Sequence, residues 1–109
     1  NIFPEEVEAY INKSPFIKES LVSGRENDKN DETIVVAQIV PDIDAIKARL
    51  KIDTEPSPED VYNLIKSEIK AINKNMPIYK RVVDITIREN EFAKTSSKKI
   101  KRYLEKTRV

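Results

Sequence analysis

Cysteine, histidine and tryptophan are absent from these 109 residues, and glycine occurs once. Without Cys or His there is no zinc finger, no thiol nucleophile, no disulfide framework and no histidine triad, so a metal site could be built only from carboxylates. One glycine rules out the GXXG clamp of a KH module, and no strand carries the aromatic pair on which an RRM stacks bases. The longest apolar run, Thr33 to Val40 with its neighbours, falls far short of the ~20 residues of a transmembrane segment. No basic-then-apolar leader opens the chain. The expectation is a cytoplasmic domain, with room for peripheral membrane association. A chain of this length buries perhaps ~65% of its unfolded surface, which is enough for one modest core.

What is present is charge, at 36% of residues, with 20 Lys+Arg against 19 Asp+Glu. The near-neutral total of +1 hides a division. Residues 1–93 carry 13 basic and 18 acidic side chains, net −5, whereas residues 94–109 carry 7 basic and 1 acidic, net +6. The positive charge is concentrated in the last sixteen residues, and a functional account has to explain them.

Pro4, Glu5 and Glu6 read as the first turn of a helix, with Phe3, Val7, Tyr10 and Ile11 on its apolar face and Ser14-Pro15 as its stop. Phe3, Tyr10 and Tyr103 are expected in the core. The chain begins at Asn1 directly before this helix, which reads as one domain over 1–109 cut from a longer polypeptide. Phe16 to Ser23 has strand character, ending in a turn at Gly24 and a polar loop from Arg25 to Glu32. The β-branched run Thr33 to Val40 reads as a strand covered on both faces and closed by Pro41-Asp42. The two strands are expected to pair antiparallel.

A short helix with Ile43, Ile46 and Leu50 on one side follows. Ser57-Pro58-Glu59-Asp60 then supplies a cap, a first-turn proline and two acids, ahead of the stripe Val61, Leu64, Ile65, Ile69 and Ile72. Asn75 and Pro77 end that helix. Val83, Ile85 and Ile87 alternate with polar residues and predict a strand with one wet face. A loop from Glu89 to Ser97 leads to a terminal helix with Ile100, Tyr103 and Leu104 on one side. The order predicts an α+β, two-layer domain with a small, mainly antiparallel sheet packed by helices.

In Lys94-Thr95-Ser96-Ser97-Lys98-Lys99-Ile100-Lys101-Arg102, the hydroxyls favour a helix cap and leave Lys98 and Lys99 at the loop-to-helix junction. There an ammonium and helix N–H groups both attract an anion, with phosphate the natural target. Three readings stay open on the residues alone. They are a solvated helix face, a phosphate or nucleotide contact, and a stand-alone basic module for nucleic acid.

Three segments together narrow the choice: Asn1-Ile2-Phe3-Pro4-Glu5-Glu6-Val7-Glu8, Ser20-Leu21-Val22-Ser23-Gly24, and Glu91-Phe92-Ala93 running into the basic junction. In this order and spacing the chain resembles the C-terminal domain of AMP-forming acyl-CoA synthetases, the adenylate-forming superfamily. The opening pattern of that family is N-[IV]-[YF]-P-x-E-[IV]-E and its closing pattern is roughly P-K-T-x-x-G-K-I-x-R. Ala93 replaces the proline and Lys98 replaces the glycine. The resemblance is closest to bacterial long-chain-fatty-acid-CoA ligases; the other branches of the superfamily, amino-acid adenylation domains among them, are the alternative.

The resemblance implies a lid domain that rotates between two half-reactions. Lys99 aligns with the catalytic lysine, and Lys98 and Thr95 are the nearby loop candidates. Arg25 and Lys29 are weaker candidates for coenzyme A phosphates. Glu6 and Glu8 are motif positions whose simplest role is to stabilise the helix N-terminus. The implied parent joins fatty acid, ATP and coenzyme A, with Mg2+, into acyl-CoA, AMP and diphosphate. The implied partner is the chain's own large N-terminal domain, which carries the phosphate loop and acyl pocket. No nucleic acid is expected as a partner, no metal site is expected in this chain, and the isolated domain should bind no cofactor and ligate nothing.

Overall fold

The computed structural model describes residues 4–26 and 33–92. Among them are three α-helices, α1 (Pro4–Ile11), α2 (Ile43–Leu50) and α3 (Pro58–Asn73), and three strands, β1 (Ile17–Glu26), β2 (Thr33–Pro41) and β3 (Val82–Ile87), with a 3-10 turn at Ile78–Lys80. The strand order is β1-β2-β3. β1 and β2 form the longer, antiparallel ladder, and β3 joins the other side of β2 in parallel. The fold class is α+β, as the alternation of patterns predicts, and the sheet is mixed.

β2 occupies the centre, and every residue from Val35 to Pro41 is buried. This explains its nearly continuous apolar sequence, since a strand with neighbours on both sides and cover on both faces has no wet position. One face of the sheet, through Val22, Ala37, Ile39 and Ile85, joins the main core with Val7 and Ile11 of α1 and Val61, Ile65 and Ile69 of α3.

Helix ends follow local chemistry. The Ser57 hydroxyl accepts the Asp60 N–H at 3.1 Å and Pro58 occupies the first turn of α3. The Asp42 carboxylate accepts the Ala45 N–H at 3.1 Å, so the residue that closes β2 also caps α2. α2 ends on Lys51 in the left-handed region, φ 59°, where glycine is the usual choice. At the far end of α3, Asn73 clamps the start of β3. Its amide donates to the Val82 carbonyl at 2.9 Å and its carbonyl accepts the Val82 N–H at 3.0 Å.

Three expectations are corrected. The first strand does not stop at Gly24. It continues to Glu26, because Gly24, Arg25 and Glu26 pair with Val35, Ile34 and Thr33, and the glycine φ is not positive. Val83 does not face the core but is 65% exposed. Val82 pairs with Val35 and Asp84 with Val36, so Val83 is the extra residue of a bulge and the inward phase passes to Ile85 and Ile87. Tyr10 lies outside the core at 41% exposure, its ring under the Lys13 ammonium at 5.1 Å.

Candidate functional site

α1 begins as its proline and acids require, and its two motif carboxylates reach beyond their own helix. Glu8 is buried, and its Oε2 accepts the Val22 N–H of β1 at 2.7 Å. This corrects the expectation that Glu8 serves the helix N-terminus. A charged acceptor on a buried N–H ties α1 to the sheet, an interaction worth more than a surface cap. Glu6 accepts from the Lys80 Nζ at 2.9 Å, which links α1 to the turn before β3. That hydrogen bond, with the charge of Glu6, holds the Lys80 ammonium above its ordinary pKa against a smaller opposing effect of desolvation. Lys80 also sits 5.7 Å from the Tyr79 ring centroid.

The 3-10 turn following Pro77 presents apolar surface outward, with Ile78 80% and Tyr79 64% exposed. Their sequence setting, two large side chains in a proline-bounded turn outside any apolar stripe, is the signal that could have marked them. A groove of about 900 Å3 runs between the α2–α3 connection and β3, lined by Ile43, Pro56, Val61, Tyr62, Ile87 and Arg88.

Arg25 is on β1, and its guanidinium meets the Asp84 carboxylate of β3 at 3.3 Å, spanning β2. Both partners are about half exposed. The pairing offsets part of the charge that Arg25 could offer to an anion. Lys29, Thr95, Lys98 and Lys99 lie outside the described residues, as do Phe3 and Tyr103. The structure therefore brings Glu6, Glu8 and Arg25 into defined pairs and leaves the lysine junction to the sequence. The last described residues, up to Phe92, are held in place. Lys18 of β1 and Glu91 pair at 2.9 Å, which raises the pKa of Lys18, and the Arg88 guanidinium lies 4.5 Å from the centroid of the buried Phe92 ring.

Among the described residues no group of three or more Asp and Glu side chains is placed to hold a metal ion, and no helix is long and apolar enough to cross a membrane. The charged groups described above tie α1 to β1 and to the turn before β3, and β1 to β3.

No protein-family model matches the chain, and no curated protein matches it. Solved structures do. An acyl-CoA synthetase of Brucella canis is 25% identical with a TM-score of 0.66, over 94% of this chain and 16% of its own. A fatty acyl CoA synthetase of Mycobacterium tuberculosis is 18% identical with a TM-score of 0.65, over 99% of this chain and 18% of its own. The A-PCP didomain of carboxylic acid reductase from Segniliparus rugosus, in complex with AMP, is 18% identical with a TM-score of 0.73, over 98% of this chain and 14% of its own. The chain thus spans less than a fifth of each of these proteins, and its fold is that of a segment shared by acyl-CoA synthetases and adenylation domains.

Proposed function

We propose that this chain is the C-terminal lid domain of an ATP-dependent, AMP-forming acyl-CoA ligase, and that Lys99 is its adenylation lysine. The observation that carries the reading is the near-complete cover of this chain by a small part of an acyl-CoA synthetase, at 94% against 16%. It joins with the motif residues at both ends of the sequence, from Asn1 to Glu8 and from Glu91 to Arg102.

In the first half-reaction a carboxylate attacks the α-phosphorus of ATP, the bond to the β-phosphate breaks, and diphosphate leaves an acyl-adenylate behind, while negative charge gathers on the reacting oxygens. A protonated Lys99 delivered between the carboxylate and the α-phosphate oxygens stabilises that charge and aligns the two reactants, with no covalent role. The domain then rotates, withdraws the lysine and turns its other face to the site, where the thiol of coenzyme A displaces AMP. Mg2+ in such a parent belongs with ATP and the larger domain. A long-chain fatty acid in the cytoplasm is the substrate and setting we favour, from the likeness of the closing segment to bacterial long-chain ligases.

A second reading has its own support. The carboxylic acid reductase didomain superposes at 0.73, above the 0.65 and 0.66 of the acyl-CoA synthetases, so a parent of another adenylating branch, with a different acceptor, is the alternative.

The test separates the half-reactions in the full-length enzyme. Lys99→Ala should abolish most pyrophosphate exchange while sparing thioester formation from pre-made acyl-adenylate. Equal loss of both halves, or the same selective loss on Lys98→Ala with Lys99→Ala active, overturns the assignment. Adenylation without any transfer to coenzyme A favours the second reading.

A further inference from the structure

The excess of positive charge over residues 94–109 has a counterpart inside the described fold. Residues 66–83 carry five basic side chains, Lys66, Lys70, Lys74, Lys80 and Arg81, against the single acid Glu68, whereas the rest of residues 1–93 carries eight basic and 17 acidic. That is net +4 beside net −9. Glu68 is engaged with its own domain, its carboxylate accepting the Ser14 hydroxyl at 2.7 Å. Lys66, Lys70 and Lys74 recur every fourth residue along α3 and its C-terminal cap, a spacing that keeps them on one side of the helix. All three are exposed, and none pairs with a carboxylate among the described residues.

The same stretch holds the three most exposed large apolar side chains of the described residues, Ile78 at 80%, Val83 at 65% and Tyr79 at 64%. Ile78 and Val83 are five residues apart and so at most about 18 Å from each other. Val83 shares a hollow with Lys66 and Lys70, and the Lys80 ammonium lies against the Tyr79 ring. Because Asn73 clamps Val82, the end of α3 and the start of β3 hold these groups in one surface. Aliphatic side chains offer nothing to a nucleic acid, which rewards stacked rings. Lysine is depleted where proteins meet proteins. At the face of an anionic bilayer both are favourable, since tyrosine and short apolar side chains enter the headgroup layer while lysine stems reach back to phosphate.

We propose that the surface formed by Ile78, Tyr79 and Val83 with Lys66, Lys70 and Lys74 docks this domain on an anionic lipid bilayer. The 3-10 turn enters the headgroup layer, and the lysines meet the lipid phosphates. The nearby carboxylates of Glu6 and Asp84 are already compensated by Lys80 and Arg25, so neither faces the lipid as a bare charge. This docking needs neither Lys99 nor the ligase reading, and each can fail without the other.

The absence of tryptophan lets one fluorescent reporter at a time be introduced into the 109-residue chain. Tyr79→Trp keeps an interfacial ring in the turn, whereas Thr54→Trp places one on the α2–α3 connection between Asp53 and Glu55. The 16 residues of α3 separate the two sites by about 24 Å. With mixed vesicles of phosphatidylglycerol and phosphatidylcholine, emission of the Tyr79→Trp chain should shift to the blue and be quenched by lipids brominated in their acyl chains. Thr54→Trp should show neither change, and phosphatidylcholine alone should produce neither in Tyr79→Trp. Adding Lys66→Gln and Lys70→Gln to the Tyr79→Trp chain should weaken binding about 20-fold, since each basic residue at such a surface is worth roughly fivefold. An unshifted Tyr79→Trp chain, the result of adsorption through residues 94–109 alone, overturns the proposal. Equal quenching in Thr54→Trp, undiminished binding after loss of the two lysines, or a shift produced by single-stranded DNA and not by vesicles also overturns it.

Discussion

The two ends of the chain carry opposite charge, and the proposed function gives them different work. At the opening end the carboxylates are engaged inside the domain, Glu8 on the Val22 N–H and Glu6 on Lys80. At the closing end, seven basic residues stand against one acid over residues 94–109, and the proposed chemistry asks a single one of them to meet substrate. A motif can therefore mark an anchor as readily as a reacting group. Charge matched within the domain builds it, and the proposal assigns the excess charge of the short closing segment to a partner. The Arg25–Asp84 pair, which spans the sheet, belongs with the anchors.

Breaking each end should produce effects of different kind and size. The largest is expected at the closing end, where Lys99→Ala in the full-length parent should lower adenylate formation about 100- to 1000-fold, the range for removing one preorganised charge-stabilising donor, read by pyrophosphate exchange. Next is Glu8→Ala. It leaves a buried N–H without its charged acceptor and should cost about 2–3 kcal/mol, measured by urea unfolding of this chain, with Glu8→Gln recovering part of the loss. Asn73→Ala opens both hydrogen bonds to Val82 and should cost about 1–2 kcal/mol by the same measurement.

The smallest effect belongs to the exposed Glu6–Lys80 pair, where solvent and salt screen the attraction. Because the folded-state pKa of Lys80 is raised above its ordinary 10.5, the contribution of the pair is fully present below that value and is lost as pH climbs through the raised one. Stability curves of the wild type and Glu6→Gln should converge in strong alkali and separate slightly at neutral pH.

Much of the fold was legible where a signal is local. The β-branched run of β2 announced a strand covered on both sides, and Ser57-Pro58-Glu59-Asp60 announced the start of α3. Signals that depend on a distant partner were not. Whether Glu8 caps its helix or reaches Val22 is decided by how α1 packs on β1, fourteen residues away in sequence. Gly24 looked like a turn, but pairing with Val35 carries the hairpin past it. Alternation put Val83 inward until one bulge against β2 reversed the phase. For the candidate site, end motifs suggested the family resemblance, and the likeness of the fold to acyl-CoA synthetases supports it. The pairing of Arg25 with Asp84 was invisible, since it requires β3 to lie parallel to β2, an arrangement that no local pattern encodes.

The most direct test of the contrast is to measure Glu8→Ala and Lys99→Ala side by side in the full-length parent, each for thermal stability and for pyrophosphate exchange per folded molecule. The account predicts a crossed result, in which Glu8→Ala lowers the melting temperature with exchange nearly unchanged and Lys99→Ala removes exchange with melting nearly unchanged. Full exchange activity in Lys99→Ala, or an equal loss of stability in both variants, would contradict it.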